Sequence, residues 1–385
     1  MAKRRSPATT RSNGNTRRRA SARREKVRYA VVGLGHIAQV AVLPAFAHAA
    51  NAEVTALVSD DPAKLKALAR KYKTVDGTFS YDEYEECLEQ VDAVYIALPN
   101  HLHADYTIRA AKAGVHVLCE KPMAVTEAEC RKMIAACRDN NVKLMIAYRL
   151  HFEEINLAVI DLIRRGKIGE PKFFNSSFSM TVRDGDIRTK KDMGGGSLYD
   201  IGVYCINAAR YLFRAEPTEV TAVSVNSGVK KLKEIDESTG AVLNFGDGRV
   251  AAFVTSFNAA DVAEYRVVGT KGHIHVDPAY EYAEGLEYEM IVDGKTSKKR
   301  IGKRDQFAAE LLHFSTCVLE NRRPEPSGEE GMQDVRIVEA LYESSRRGKA
   351  VAIPPLKGEK YPSKKQKIVR PGVKKPRLVK VQSAS

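Results

Sequence analysis

From residue 27 to about 150 the chain alternates short apolar runs with stretches of helical spacing. The runs Val27–Val32, Val54–Val58, Ala93–Leu98, Val115–Cys119 and Lys143–Ala147 read as strands buried on both faces. Between them, 62–72, 82–90, 103–113 and 124–140 place apolar residues three and four apart, as helices do. Regular alternation of strand and helix predicts a doubly wound parallel sheet. After 150 the pattern changes. A helix over 152–165 precedes a strand opening at Pro171, and a second helix follows Gly194-Gly195-Gly196-Ser197. Period-two alternation then marks strands at 219–226, 239–245, 249–257, 264–269, 272–277 and 286–293, with Gly246-Asp247-Gly248 as a hairpin turn. Helices over 304–321 and 330–347 close the body. The fold class is therefore α/β: a parallel N-terminal sheet plus a C-terminal α+β domain with a largely antiparallel open sheet. Helices can cover one face of that second sheet. Its other face needs a cover, most simply a second subunit, so a homo-oligomer (dimer or tetramer) is expected.

Charge changes the picture only at the ends. The chain has a net charge of +14, but residues 1–26 and 357–385 each carry ten Lys or Arg against one Glu, so the body between them is slightly acidic. Residues 1–26 lack apolar residues to pack and read as a disordered basic tail; 354–385 read as a basic C-terminal tail. Nucleic acid is not an expected partner beyond weak contacts of these tails. No apolar run reaches the length of a membrane span. Arg4-Arg5 lacks the hydrophobic stretch of an export signal, so a cytoplasmic location is expected. The six cysteines form no Cys-x-x-Cys pair and suit buried, reduced thiols.

Chemistry concentrates at strand ends. Gly33-Leu34-Gly35-His36-Ile37-Ala38 sits between the first strand and its helix. The first glycine permits the tight turn, the second lets a pyrophosphate approach, and Ala38 allows close helix packing. This assigns 27–150 as a dinucleotide-binding Rossmann domain and 151–353 as the substrate and oligomerisation domain. The second strand ends at Ser59-Asp60-Asp61, where a ribose would lie. An acid there suits NAD, and Lys64, one turn on, suits the extra phosphate of NADP; the two aspartates can equally be helix caps before Pro62. Pro99, Lys121 and Tyr148 follow three further strands and fall on one rim, with Glu120-Lys121-Pro122 as its charged centre. Asp200 and Tyr204 share a helix face. His273 and His275 share a strand face, but no third ligand is visible and no metal is expected.

The Gly33–Ala38 loop, Leu98-Pro99-Asn100 with His103, Glu120-Lys121-Pro122, and Asp200-Ile201-Gly202-Val203-Tyr204 together resemble the Gfo/Idh/MocA oxidoreductases. The likeness spans about 27–353, including Tyr148-Arg149, Gly194–Ser197 and Gly328–Arg336. It implies a nicotinamide-dependent enzyme moving a hydride to or from a small sugar or related polyol, with NADP favoured and NAD possible. It is strongest with the branch that pairs an aldose with a ketose on tightly held NADP. Simple dehydrogenation with a dissociable cofactor, and a non-catalytic dinucleotide binder with nucleic-acid-binding tails, are the alternatives. The resemblance implies Lys121, Asp200 and Tyr204 as catalytic. It implies Gly33, Gly35, His36, Ile37, Ser59, Lys64, Leu98, Pro99, Asn100, His103, Glu120, Lys121 and Arg149 around the cofactor. Around the substrate it implies Lys121, Tyr148, Arg188, Asp200 and Tyr204. In that scheme Tyr204 is the acid/base, its phenolate favoured by the Lys121 ammonium.

Overall fold

The structure is a computed structural model describing residues 26–354 and 361–382. Its first sheet has six strands: β1 (Val27–Val32), β2 (Ala52–Val58), β3 (Gly77–Phe79), β4 (Ala93–Ile96), β5 (His116–Glu120) and β6 (Leu144–Ala147). All neighbours are parallel, in the order β3-β2-β1-β4-β5-β6. Val31, Val32, Val94, Tyr95, Val117 and Leu118 are fully buried, which is why these strands read as unbroken apolar runs. The chain leaves β1 toward β2 on one side and returns to β4 on the other. That reversal opens a crevice at the carboxyl ends of β1 and β4. The three-residue edge strand β3 is absent from the sequence reading because half-exposed Gly-Thr-Phe shows no periodicity.

Local signals set the helix starts. Asp61 caps the helix Pro62–Tyr72, accepting from Ala63 N and Lys64 N at 2.9 and 3.1 Å. Thr126 and Glu129 form a capping box ahead of Glu127–Asp139. The helical stretch after the glycine loop is irregular, with a π turn over Ala38–Val42 ahead of Leu43–Ala45. Pro44 has no N–H to donate, so a regular hydrogen-bond ladder cannot run through it.

The second sheet contains β7 (Pro171–Thr181), β8 (Glu219–Val225), β9 (Ser238–Asn244), β10 (Val250–Ser256), β11 (Asn258–Gly269), β12 (Gly272–Val276), β13 (Leu286–Val292), β14 (Lys295–Ile301) and β15 (Val351–Ala352). The order is β14-β13-β12-β11-β7-β10-β9-β8-β15, antiparallel except for β7 and β10. The expected mixed, mainly antiparallel domain is thus present. Two of its strands escaped the sequence reading. The β14 strand is a charged edge, Lys-Thr-Ser-Lys-Lys-Arg-Ile, with no apolar alternation, and β15 has only two residues. The β11 strand also begins at Asn258, six residues before the expected start.

One face of this sheet packs Phe174, Leu243, Phe253 and Val267 against the helices Glu154–Arg164, Val203–Phe213 and Gly328–Arg347. The other face carries Phe173, Val223, Val242, Val250 and Val254, each 41–65% exposed. Register places Val254 opposite Gly240 and Ser177, and Val250 opposite Phe173, so these side chains form one surface.

The N-terminal tail expected over 1–26 lies, but for its last residue, outside the described residues. The C-terminal basic stretch does not project from the fold as a tail. Over 361–382 it runs along the body. Lys364 pairs with Asp161 at 2.7 Å, Ile368 N donates to Phe152 O, and Arg370 O accepts from Asp305 N at 3.1 Å. A count of basic residues could not reveal these docking points.

Beneath the second sheet, Arg210 is 1% exposed and grips two carboxylates. It donates to Glu216 at 2.7 and 2.9 Å and to Asp334 at 2.5 Å. Removing a partner from such a buried group leaves an uncompensated charge. Arg210→Ala should therefore cost about 3–5 kcal/mol, measured as the shift in a urea unfolding curve.

Candidate active site

A cleft of about 880 Å³ lies along the carboxyl ends of β1, β2, β4 and β5 and continues to the end of β7 and the start of β11 in the middle of the second sheet. Its first wall is the glycine loop. Gly33 has φ +91°, and a Cβ there would meet Ala97 O at 2.6 Å; a Cβ on Gly35 would meet nothing within 4 Å. Gly33 thus serves the turn, and Gly35 leaves open space where a phosphate could pass. Ser59 and Lys64 line the same end. The two neighbouring aspartates are engaged elsewhere: Asp61 as helix cap, and Asp60 accepting from Tyr81 N at 2.9 Å. The capping alternative offered by the sequence is therefore the one adopted by Asp61.

The charged centre joins the two sheets. Lys121, at the end of β5, donates its Nζ to Asp200 O at 2.6 Å and to Asp200 Oδ1 at 3.0 Å. Arg188 Nε donates to the other carboxylate oxygen at 2.6 Å. Burial pushes the Asp200 carboxyl up, but Arg188 and Lys121 outweigh it and hold the group well below the usual carboxylate range. Burial likewise works against the Lys121 ammonium, and Asp200, Tyr204 and Glu120 reverse the effect, raising it above an ordinary lysine. Glu120 accepts from Tyr95 OH at 2.9 Å and from the Lys121 backbone N at 3.2 Å. It fixes the strand end from which Lys121 projects.

Asp200 lies in a π turn, Leu198–Gly202, that leads into the helix Val203–Phe213 carrying Tyr204. Two cations flank the tyrosine ring, with Lys121 Nζ 4.9 Å and Arg149 Cζ 5.0 Å from its centroid. The hydrogen bond to Tyr204 OH comes from Arg149 NH2 at 3.2 Å. Arg149 is also held by Gln306 and by the carbonyls of Tyr280 and Glu281. Phe178 and Tyr280 pack against the tyrosine at centroid distances of 5.7 and 5.8 Å. None of Gln306, Tyr280 or Phe178 carried a sequence signal, because each arrives from a distant element.

The structure brings Gly33, Gly35, His36, Ile37, Ser59, Lys64, Leu98, Pro99, Asn100, Glu120, Lys121, Arg149, Arg188, Asp200 and Tyr204 to this cleft. Two expected residues lie elsewhere. His103 is fully buried, its ring nitrogens 2.9 Å from the carbonyl oxygens of Leu98 and Pro122. It ties two strand-end loops together and is not in the cleft lining. Tyr148 faces a small pocket of about 30 Å³ behind Lys121, Arg149 and Tyr204, together with Asn207 and Tyr211. Its position on the rim was right, but its side chain points the other way. His275 does acquire two carboxylate neighbours through the pairing of β11 with β12. Glu264 is 2.7 Å away, and Asp277 completes a group with ligand atoms within 4.8 Å of one another.

At the far end of the cleft from Lys64, the lining includes Tyr282 and a rim of Asp261, Asp277, Glu281 and Glu284. Asn100 ties the near wall to the glycine run, Nδ2 donating to Gly194 O at 2.8 Å. The cleft therefore offers an extended cradle for a phosphate-bearing ligand, an aromatic pocket beyond it, and a Lys–Asp–Tyr group at the junction.

Two family models match the chain: an oxidoreductase family with an NAD-binding Rossmann fold over 27–148, and the GFO/IDH/MocA C-terminal domain over 156–275. The NADP-dependent D-xylose 1-dehydrogenase of Haloarcula marismortui is 31% identical over 85% of this chain and 93% of its own. A dTDP-sugar 3-reductase of Saccharopolyspora spinosa is 30% identical over 84% and 99%. Among solved structures, the aldose–aldose oxidoreductase of Caulobacter crescentus, complexed with glycerol, is 37% identical with a TM-score of 0.82. It is covered completely by 85% of this chain. A 3-ketoreductase of Actinomadura kijaniata with bound NADP is 28% identical with a TM-score of 0.76, over 83% and 98%. Among the described residues, no helix is long and apolar enough to cross a membrane.

The glycine run gives a direct check of the site geometry. A Cβ on Gly195 would lie 2.4 Å from Arg188 O and 2.6 Å from Lys190 O. Gly195→Ala should displace Arg188 from Asp200 and lower kcat/KM by about tenfold or more, in assays of the folded variant.

Proposed function

We propose that this chain, which belongs to the GFO/IDH/MocA oxidoreductase family, is an NADP-dependent sugar oxidoreductase whose chemistry centres on Lys121, Asp200 and Tyr204. The observation that carries the reading is the Lys121–Asp200 pair beside Tyr204 at the junction of a dinucleotide-shaped cradle and an aromatic pocket. The preference for NADP over NAD rests on the ribose end. Both aspartates that could take a ribose hydroxyl are held by backbone N–H groups, whereas Ser59 and Lys64 face the cleft. The names of the xylose dehydrogenase and the 3-ketoreductase point the same way.

A nicotinamide bound in the cleft supplies the hydride acceptor or donor. The chain's own residues handle the proton. As phenolate, Tyr204 takes the hydroxyl proton of the sugar carbinol on oxidation and becomes the phenol, which gives that proton back on reduction. The negative charge the oxygen carries in the phenolate form is met by the Arg149 hydrogen bond and by the nearby Lys121 ammonium. Asp200 holds two of the three Lys121 donor directions, so the third is aimed at the reacting sugar oxygen. Arg188 fixes Asp200 and, one-third exposed, reaches sugar hydroxyls. Within the sugar oxidoreductases, the paired reaction in which one sugar reduces a retained NADP and a second reoxidises it is our specific assignment, with an aldose as donor. The likeness to the aldose–aldose oxidoreductase supports it.

The test is an absorbance spectrum of the purified protein with no added cofactor. Glucose should raise the reduced-nicotinamide band, and fructose should then remove it. A protein that responds only when NADP is supplied would instead be a simple dehydrogenase. Tyr204→Phe should lower kcat by about 10²–10⁴ with NADPH binding unchanged, and near-normal turnover would refute the proton-transfer role.

The uncovered valine face supports a homo-oligomer built through the open sheet. Val254→Glu, combined with Val223→Lys, should convert the assembly to monomers in size-exclusion chromatography.

A further inference from the structure

The segment 361–382 lies beyond the stretch that resembles the family, and its path is specific. After docking near the helix Gln306–Leu319, it turns toward the glycine loop. There Val379 N donates to Gln39 Oε1 at 2.8 Å, and Gln39 Nε2 donates to Val379 O at 3.0 Å. Gln39 is 2% exposed, and the same Nε2 donates to Leu34 O at 3.0 Å. One buried amide thus ties this strap to the backbone of the Gly33–Gly35 turn. The next residue, Lys380, places its Nζ 3.5 Å from Asp61 Oδ1. Asp61 N in turn donates to Ser59 Oγ at 3.2 Å, and Ser59 lines the cleft. Two residues later, Gln382 accepts a hydrogen bond from Arg183, which follows β7 of the second sheet. The strap therefore bridges segments just outside the cleft on its two sides, Gln39 and Asp61 beside the glycine loop and Ser59, and Arg183 ahead of Ile187 and Arg188; the lining itself holds none of the strap's residues. Residues 374–382 contain Lys374, Lys375, Arg377 and Lys380 and no acid.

We propose that this C-terminal strap braces the outside of the cofactor site, clasped to the glycine loop through Gln39 and Val379, with Lys380 as a cation that admits the 2′-phosphate of NADP. The inference rests on the NADP reading above and extends it to a segment outside the family match. Asp61 is an anion beside the position of that phosphate, and its capping role keeps it there. Lys380 offsets it. The Lys380 side chain is 61% exposed, and an ion pair of that exposure is weak, so its ammonium turns to a doubly charged phosphate at little cost. His36, on the loop itself, feels the same cationic surroundings. Its pKa is lowered by burial first and then by Arg188, Arg183 and Lys375. Because the strap ties the glycine loop to Arg183 of the second domain, opening of the cleft for nucleotide release is coupled to opening of the clasp. A retained cofactor, which the paired reaction requires, is the consequence.

Two disruptive full-length variants, with Lys380→Arg as the conservative control, test this by nucleotide fluorescence. Lys380→Glu should weaken NADPH binding by about tenfold or more and change NADH binding by less than about twofold, and Lys380→Arg should restore it. Unchanged thermal melting is expected for substitutions at so exposed a side chain. Val379→Pro removes the N–H donated to Gln39 and should speed release of NADPH and NADH alike by about tenfold in stopped flow. If wild type binds NADPH and both variants hold and release it as wild type does, the strap has no such role while the NADP reading stands. If wild type binds NADH in preference to NADPH, or neither, the NADP reading fails and this inference falls with it.

Discussion

The Lys121–Asp200 ion pair is the constraint around which the rest is arranged. An ammonium this buried needs an anion, and no carboxylate of the first sheet is bonded to its Nζ. The anion comes from the π turn under the second sheet and is held there by Arg188. The charged centre thus exists only where the two sheets meet. The cis Lys121–Pro122 peptide, the Asn100–Gly194 hydrogen bond and His103 between Leu98 and Pro122 all cluster at that seam. Polar ties of this kind do little for net stability. They fix the relative placement of groups that must act within hydrogen-bond reach of one another.

A second layer of charge sits behind the tyrosine. Arg149 spends its donors on Tyr204, Gln306 and two carbonyls, so its guanidinium is a fixed part of the wall. Glu310, fully buried near Glu120 and Arg149, has its pKa pushed well up by burial and then by the Glu120 charge. Burial pushes the Glu120 carboxyl up as well, against the pull of the Lys121 ammonium, the Tyr95 hydroxyl and Arg149. The site is thus built from charges whose neighbours decide which of them persist.

The sequence made the first sheet legible because each of its long strands is apolar on both faces and is punctuated by a glycine turn, a helix cap or a proline. The cradle residues were legible for the same reason, since Gly33, Ser59, Pro99 and Lys121 all follow strand ends. What failed was direction. Tyr148 and His103 belong to motifs at the right rim, but one points behind the tyrosine and the other is spent on two carbonyls. A spacing rule locates a Cα and not the contact its side chain makes. Gln306, Tyr280 and Gln39 were invisible because their contacts span more than a hundred residues or reach into the basic stretch. That stretch was misjudged by composition. Its lysines looked like a solvated tail, yet the Asp161 carboxylate takes Lys364 and the Asp305 backbone N–H donates to the Arg370 carbonyl.

The rim formed by Asp261, Asp277, Glu281 and Glu284 gives the cleft two electrical ends, cationic toward Lys64 and acidic beyond Tyr282. Phosphates are drawn to the first end and repelled from the second. A sugar that carries a phosphate ester or a carboxylate meets like charge at this acidic rim, and a free sugar does not. Charge at the rim thus acts on an approaching molecule before any hydroxyl is within hydrogen-bond reach.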